Sequence, residues 1–147
     1  MSAKRTYFIS GHRDITQSEF NYHYANAIKQ AASDPDSRFV VGDSIGADIM
    51  AQQMLVDLLR EQDPNFTRIQ VFHMYNKPRN IADKKIPTHG GFLSHNQKDK
   101  AMTNSSDIDI AWVRPIEDTK LLYGDRYVQR VSGTEANIIR RKKFAGK

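Results

Sequence analysis

The chain has 147 residues, 39% of them hydrophobic, and a formal net charge of +5, which suits one compact domain with its own core. We therefore expect residues 1–147 to form a single domain. It has no cysteine, which excludes a disulfide framework and thiolate metal ligands, and no apolar stretch approaches a membrane span or a signal peptide, so we expect a cytoplasmic protein without a membrane partner.

Two strand–turn–helix units are predicted in the first half of the chain. A short apolar run predicts a strand over 6–10. Residues 16–19 have the spacing of a capping box, which predicts the start of a helix that extends to about Ala32. A second strand is predicted over 38–41. Apolar residues at helical spacing over 47–59 then predict a second helix that packs on the core.

The second half continues the alternation with longer connections. It predicts a strand over 69–74, a helix over 95–104, a strand over 108–113 and a last helix over 135–144. The connection over 75–94 has no evident structure, so it is either a binding loop or a solvated lysine-rich loop. We interpret 114–131 as a candidate lid.

Strands that alternate with helices predict an α/β protein with a mainly parallel sheet covered on both faces. In such sheets ligands bind at the carboxyl ends of the strands. Small-residue turns followed by helices occur at three of these places, and free helix N–H groups there favour anions. The residues concerned are Ser10, Gly11, His12 and Arg13 after the first strand, Gly42, Asp43, Ser44 and Gly46 after the second, and Gly133 and Thr134 before the last helix.

These motifs, in their order along the chain, resemble the SLOG superfamily of Rossmann-like proteins, which includes the DNA-processing protein A and Lonely Guy phosphoribohydrolase families. The matching pieces are Ile9–Asp14, Gly42–Asp48, Lys98–Met102 with Ser106–Asp107, Ile110–Trp112 and Ser132–Thr134. The resemblance implies a single-domain, three-layer Rossmann-like fold with a pocket for a phosphorylated nucleoside or an ADP-ribose-like ligand. It also implies a homo-oligomer.

The resemblance places phosphate contacts at the three turns and at Lys98, where related proteins often carry arginine. The phosphoribohydrolases keep a glutamate at the position of Asn137, so the candidate catalytic acid here is Glu135. An alternative role for Glu135 is to cap its own helix, and Asp48 has the same ambiguity. Asp14 and Asp107 are candidate ligands for ribose hydroxyls.

The five histidines show no metal-ligand spacing, and neither a P-loop nor a dinucleotide-binding glycine pattern is present. We therefore predict no metal and no cofactor. If the protein is an enzyme, the resemblance implies a nucleotide N-glycosidase of the phosphoribohydrolase type.

Three functions follow from these observations. The first is binding of a nucleotide, with hydrolysis of its N-glycosidic bond as the expected reaction. The second is a non-catalytic sensor or sequestering protein for a nucleotide-derived signal. The third is a single-stranded nucleic-acid binder, which the basic C-terminal tail from about residue 140 favours. The tail holds five of the 22 basic residues, so the rest has 17 basic and 17 acidic residues.

Overall fold

A five-stranded parallel sheet forms the centre of the fold. The computed structural model describes residues 4–127 and 132–145. The strands are β1 (Thr6–Ser10), β2 (Arg38–Val41), β3 (Ile69–Met74), β4 (Thr88–Phe92) and β5 (Ile108–Ala111), in the order β4-β3-β2-β1-β5. Every neighbouring pair is parallel. The predicted α/β class with a parallel sheet is therefore confirmed.

Helices cover both faces of this sheet. One face packs on α1 (Gln17–His23), α2 (Ala25–Ala32) and α3 (Ala47–Leu59), and the other on α4 (His95–Asn104). The last helix, α6 (Gly133–Ala145), packs against α4 and β5. Alternate strand residues pack into two hydrophobic clusters, one on each face of the sheet. Ile9 and Val41 face α3, whereas Phe8 and Val40 face Met102 of α4. The result is a three-layer, Rossmann-like fold.

The predicted first helix is divided at Tyr24. Its N-cap is Thr16, which forms the predicted capping box with Glu19. Tyr24 leaves helical geometry at φ −118° and ψ −36°. Its buried hydroxyl donates to the carbonyl oxygen of Ser10 at 2.6 Å and accepts the N–H of Trp112 at 2.9 Å. The Tyr24 side chain thereby links the last residue of β1 to the residue that follows β5.

Three elements were not predicted from the sequence. The connection over 75–94 contains the edge strand β4, and the segment after β5 contains α5 (Ile116–Tyr123) and a short 3-10 turn at Gly124–Arg126. No residue of α5 is buried, and its Leu121 and Leu122 are exposed. The part of the candidate lid over 128–131 lies outside the described residues. Within the described ranges, no helix is long and apolar enough to cross a membrane.

The strand order reverses beside β1. From β1 the chain proceeds outward through β2 and β3 to β4, and then crosses back to place β5 on the other side of β1. In open parallel sheets this reversal opens a crevice at the carboxyl ends of the strands. The residues that follow β1, β2 and β5 are therefore the ones expected to border this crevice.

Candidate functional site

Ser10 and Gly42 lie side by side at the carboxyl edge. Ile9 pairs with Val41 in the parallel register of β1 and β2, so the next residue of each strand is also a neighbour. Strand alternation places Ser10 on the α4 face of the sheet together with Phe8. Its hydroxyl is buried and has no hydrogen-bond partner among the described residues. Such an unsatisfied buried hydroxyl points to a missing partner.

Gly42, the sheet neighbour of Ser10, has no side chain, and the Asp48 carboxylate occupies the space that a Cβ would take. A Cβ at Gly42 would collide with this carboxylate and would lie 3.7 Å from Lys98 Nζ. Asp48 comes from the first turn of α3, and its Oδ2 accepts the N–H of Ser44 at 3.1 Å. We call the group of Ser10, Gly42, Asp48 and Lys98 the Gly42 cluster.

A buried ion pair forms one side of this cluster. Lys98 is only 4% exposed, and its Nζ lies 3.6 Å from Asp43 Oδ1. Asp43 also accepts the backbone N–H of Arg79 at 2.7 Å and its guanidinium at 2.9 Å. These bonds fasten the segment after β3 to the end of β2. Asp43 is thus occupied by internal partners, although the sequence predicted a ligand contact for it.

The carboxyl groups around Lys98 differ in proton affinity. Burial raises the pKa of Asp48 to about 7, against the lowering effects of the Ser44 N–H and of Lys98. Burial also raises the pKa of Asp99. For Asp43 the hydrogen bonds from Arg79 outweigh burial and lower the pKa. Groups with such separated pKa values at a crevice are suited to proton transfer.

The raised pKa of Asp48 predicts a pH-dependent stability. At pH 5 to 6 Asp48 is protonated in the folded protein but ionised in the unfolded chain, so its contribution to the free energy of unfolding falls as pH rises from about 4 to about 7. Asp48→Asn removes this titration, and its stability relative to the wild type should rise across that window by on the order of 3 kcal/mol.

Urea unfolding at pH 5 and pH 8 measures this difference. Asp57→Asn serves as the control, because Asp57 lies on the same helix, is 79% exposed and pairs only loosely with Arg60 at 3.9 Å. Its effect should be the same at both pH values. An equal effect of Asp48→Asn at both pH values would contradict the raised pKa.

Two of the predicted binding glycines are explained by packing. A Cβ at Gly11 would collide with Ala47 and lie 2.5 Å from the Tyr24 hydroxyl. Gly46 has φ +81°, and a Cβ there would lie 2.5 Å from the carbonyl oxygens of His12 and Arg13. Both glycines let the turn after β1 pack against the start of α3. This internal packing accounts for them without a ligand.

The other predicted residues after β1 face β5. His12 Nε2 accepts the N–H of Arg114 at 2.9 Å, and its ring meets Trp112 edge to face. Asp14 pairs with the Arg114 guanidinium at 3.1 Å, whereas Arg13 is exposed. These residues therefore border the crevice on the β5 side.

The structure does not bring Asp107 to this edge. It precedes β5, and its Oδ2 accepts the N–H of Thr6 at 2.9 Å, at the first residue of β1. In a parallel sheet the starts of the strands lie opposite their carboxyl ends. Asp107 is thus on the far edge from Ser10 and Gly42.

The start of α6 lies on the carboxyl-edge side. Arg141 of this helix bonds the carbonyl oxygen of Ser106, just before β5, so α6 runs back toward the strand starts. Thr134 in its first turn is buried and Gly133 is exposed. The N–H of Glu135 donates to Ser132 Oγ at 3.1 Å, as expected for a cap. No described contact joins Glu135 to the Gly42 cluster.

Sequence reasoning missed Asp99 and Arg79 as residues of this edge. Asp99 follows Lys98 on α4 and lies near enough to Asp48 for its charge to raise the pKa of Asp48. Arg79 belongs to the connection whose function was left open. A carboxylate next to Lys98 was the available signal for Asp99, whereas nothing in the sequence pairs Arg79 with Asp43.

Part of the basic C-terminal cluster is occupied internally. Arg141 bonds Asp109 at 3.1 Å and the carbonyl oxygen of Thr103, and Arg140 bonds Asn137 at 2.7 Å. Arginines that satisfy the protein's own acceptors contribute less to phosphate binding. This weakens the nucleic-acid hypothesis.

A groove of about 790 Å³ lies elsewhere, between α1, α2 and α3. Its walls include Phe20, Met50, Met54 and Leu58. It does not include Gly42, Asp48 or Lys98. We therefore place the candidate site at the carboxyl edge.

The fold and this edge define the class: an α/β protein with a parallel Rossmann-like sheet and a buried ionisable cluster at the carboxyl end of β2. Comparisons of the chain with protein-family models, curated proteins and solved structures found no match.

Proposed function

We propose that the protein binds a nucleoside 5′-phosphate or a related ribosyl phosphate at the carboxyl edge of β1 and β2, and that it hydrolyses the N-glycosidic bond of this ligand. The observation that carries the proposal is Asp48, a carboxyl group with a pKa of about 7 that lies against Gly42 and near the buried Lys98. Acid–base catalysis needs a group that can both donate and accept a proton near neutral pH.

The reaction requires one proton transfer in each direction. Water attacks C1′, the C1′–N bond breaks, and its electron pair goes to the base nitrogen. The neutral form of Asp48 gives its proton to the departing base, and the carboxylate then takes the proton that the water loses. The products are a free base and ribose 5-phosphate. The acid is thus Asp48, in place of the predicted Glu135.

One cation on the α4 side favours the phosphate. Lys98 comes from the first turn of α4, whose N–H groups also favour an anion. His95 lies in the same turn, and burial and the charges of Lys98 and Arg79 lower its pKa, so its neutral ring can serve as a hydrogen-bond partner. The proposed ligand therefore spans from Gly42 toward the start of α4.

Lys98→Met tests this binding mode. The loss of a buried ammonium should weaken the affinity for nucleoside 5′-monophosphates about 10-fold to 100-fold. Isothermal titration calorimetry measures the affinity, and Lys98→Arg should restore part of it because the charge is kept. Lys100→Met, an exposed lysine on the same helix, is the matched control and should leave affinity unchanged.

Circular dichroism shows whether Lys98→Met still folds. Wild-type affinity in a folded Lys98→Met protein would remove Lys98 from the binding site. Retention of a nucleotide without release of its base, by the wild-type protein, would favour the sensor or sequestering function instead.

A further inference from the structure

The strand β4 lies at one edge of the sheet, and its outer side is open. Among the described residues it pairs with β3 alone. The N–H of Val71 in β3 donates to the carbonyl oxygen of Pro87 at 3.0 Å, and the N–H of Gly91 donates to the carbonyl oxygen of Tyr75 at 2.9 Å. Because successive residues of a strand direct their backbone groups to opposite sides, the odd-numbered residues of β4 face β3.

The backbone groups of Thr88 and Gly90 therefore point away from the sheet. No described residue outside the sheet forms a hydrogen bond with them. Thr88 and its neighbour His89 are exposed, and Gly90 has no side chain that would obstruct an approaching strand. Glycine within a strand often marks a place where another backbone comes close. The outer side of β4 is thus a row of free donors and acceptors.

The sequence of β4 lacks the usual protection of an edge strand. Natural edges carry charged residues or proline, or are covered by another element. β4 reads Thr-His-Gly-Gly-Phe, without lysine, acid or proline, and the irregularity in its pairing with β3 lies beyond His89. The opposite edge is different, because β5 contains Asp109, which pairs with Arg141 of α6 at 3.1 Å, and α6 packs against it.

We infer that β4 is a homodimer interface, in which β4 of a second copy of this chain pairs with it in the antiparallel direction about a twofold axis. An uncharged strand can lie opposite its own copy without like-charge repulsion. In the register that joins the outward groups, Thr88 lies opposite Gly90 of the second copy, and each such pair exchanges two N–H···O bonds. His89 then lies opposite His89 of the second copy.

Sedimentation equilibrium of the wild-type protein tests whether the dimer exists. A single short strand gives a small interface, so we expect a reversible dimer at protein concentrations on the order of 0.1 mM. Thr88→Pro removes an outward N–H at the first residue of the strand, where proline is tolerated, and should leave the protein monomeric. Thr88→Ala keeps this N–H and should dimerise as the wild type does. Circular dichroism shows that both variants fold.

A cysteine cross-link tests the register. The chain has no cysteine, so the thiol of His89→Cys can form a disulfide only with another copy. Residues at the twofold axis of such a pair have Cα atoms about 4.5 Å apart, within the range of a disulfide. Under mild oxidation the covalent dimer should form at least about tenfold faster than with Tyr22→Cys, a control on α1 that is 83% exposed.

Three results would overturn the inference: a wild-type protein that stays monomeric up to about 1 mM, a dimer that a folded Thr88→Pro protein retains, or equal rates of cross-linking for His89→Cys and Tyr22→Cys. Binding of a different protein's extended segment to β4 would show itself as the first of these, since the isolated chain would then be a monomer. None of the three bears on the proposed function, which uses the carboxyl edge.

Discussion

Gly46→Val will lower the free energy of unfolding by about 3 kcal/mol or more. The backbone of Gly46 has φ +81° and ψ −128°, a conformation that side-chain-bearing residues rarely adopt. A Cβ there would also lie 2.5 Å from two backbone carbonyl oxygens, those of His12 and Arg13. Because these atoms belong to the main chain, the turn after β1 must move away from α3. Urea unfolding measures the loss.

Gly133→Ala is the matched control for this substitution. Gly133 is also the small residue of a predicted binding turn, but it has no positive φ, and nothing lies within 4 Å of the position of a Cβ. The alanine should be neutral or should stabilise α6 by about 0.5 to 1 kcal/mol. A Gly46→Val protein as stable as the wild type would show that the turn after β1 is not packed on α3.

Asp48→Asn will reduce the rate of base release about 10²-fold to 10⁴-fold, the range for loss of a general acid–base group. Affinity for the substrate should change by about tenfold or less, since asparagine has the same shape and can still accept the Ser44 N–H. Steady-state kinetics with detection of the free base separates kcat from KM. The wild-type pH profile of kcat/KM, which reports the groups of the free enzyme, should include a group with a pKa near 7.

Two variants make this result specific. Glu135→Gln should retain turnover, because no described contact brings Glu135 to Asp48, and its N–H already serves the cap at Ser132. Asp57→Asn should also retain turnover. Loss of turnover in Glu135→Gln, with full activity in Asp48→Asn, would return the catalytic role to Glu135.

Most of the fold was predictable because its signals are local. The apolar runs over 6–10 and 38–41 form the two central strands, and the capping box at Thr16 opens α1. β4 was missed because Thr88–Phe92 contains two glycines and no aliphatic β-branched residue. It forms because β3 offers a parallel edge, and a side chain at Gly90 would collide with the His73 ring.

The site was predictable only in part, since its residues meet through pairing across the sheet. Gly42, Ser10 and Lys98 were predicted individually, but their proximity depends on the register of β1 and β2 and on the position of α4. Asp107 illustrates the opposite case. Its place beside a predicted strand suggested the site, yet it precedes β5 and lies at the far edge. Whether a residue precedes or follows its strand decides at which edge of the sheet it lies.

The candidate catalytic role of the Asp48 carboxylate could be proposed only from the three-dimensional structure. Its sequence position in the first turn of α3 is equally suited to a cap. What distinguishes Asp48 is the position of its carboxylate against Gly42 and near Lys98. Its burial there raises its pKa to about 7. The relationship to the SLOG superfamily stays a prediction, as does the homo-oligomer that the resemblance implies.

The central claim is that the carboxyl edge holds a nucleotide and cleaves its N-glycosidic bond. Mass spectrometry of the wild-type protein, mixed with a panel of nucleoside 5′-monophosphates, their 2′-deoxy forms and ADP-ribose derivatives, measures retained ligand and released base together. We expect at least one ribonucleotide to yield a free base and ribose 5-phosphate, and Asp48→Asn to abolish that release. Retention without release would contradict the claimed cleavage, and absence of both retention and release across the panel would contradict the whole claim.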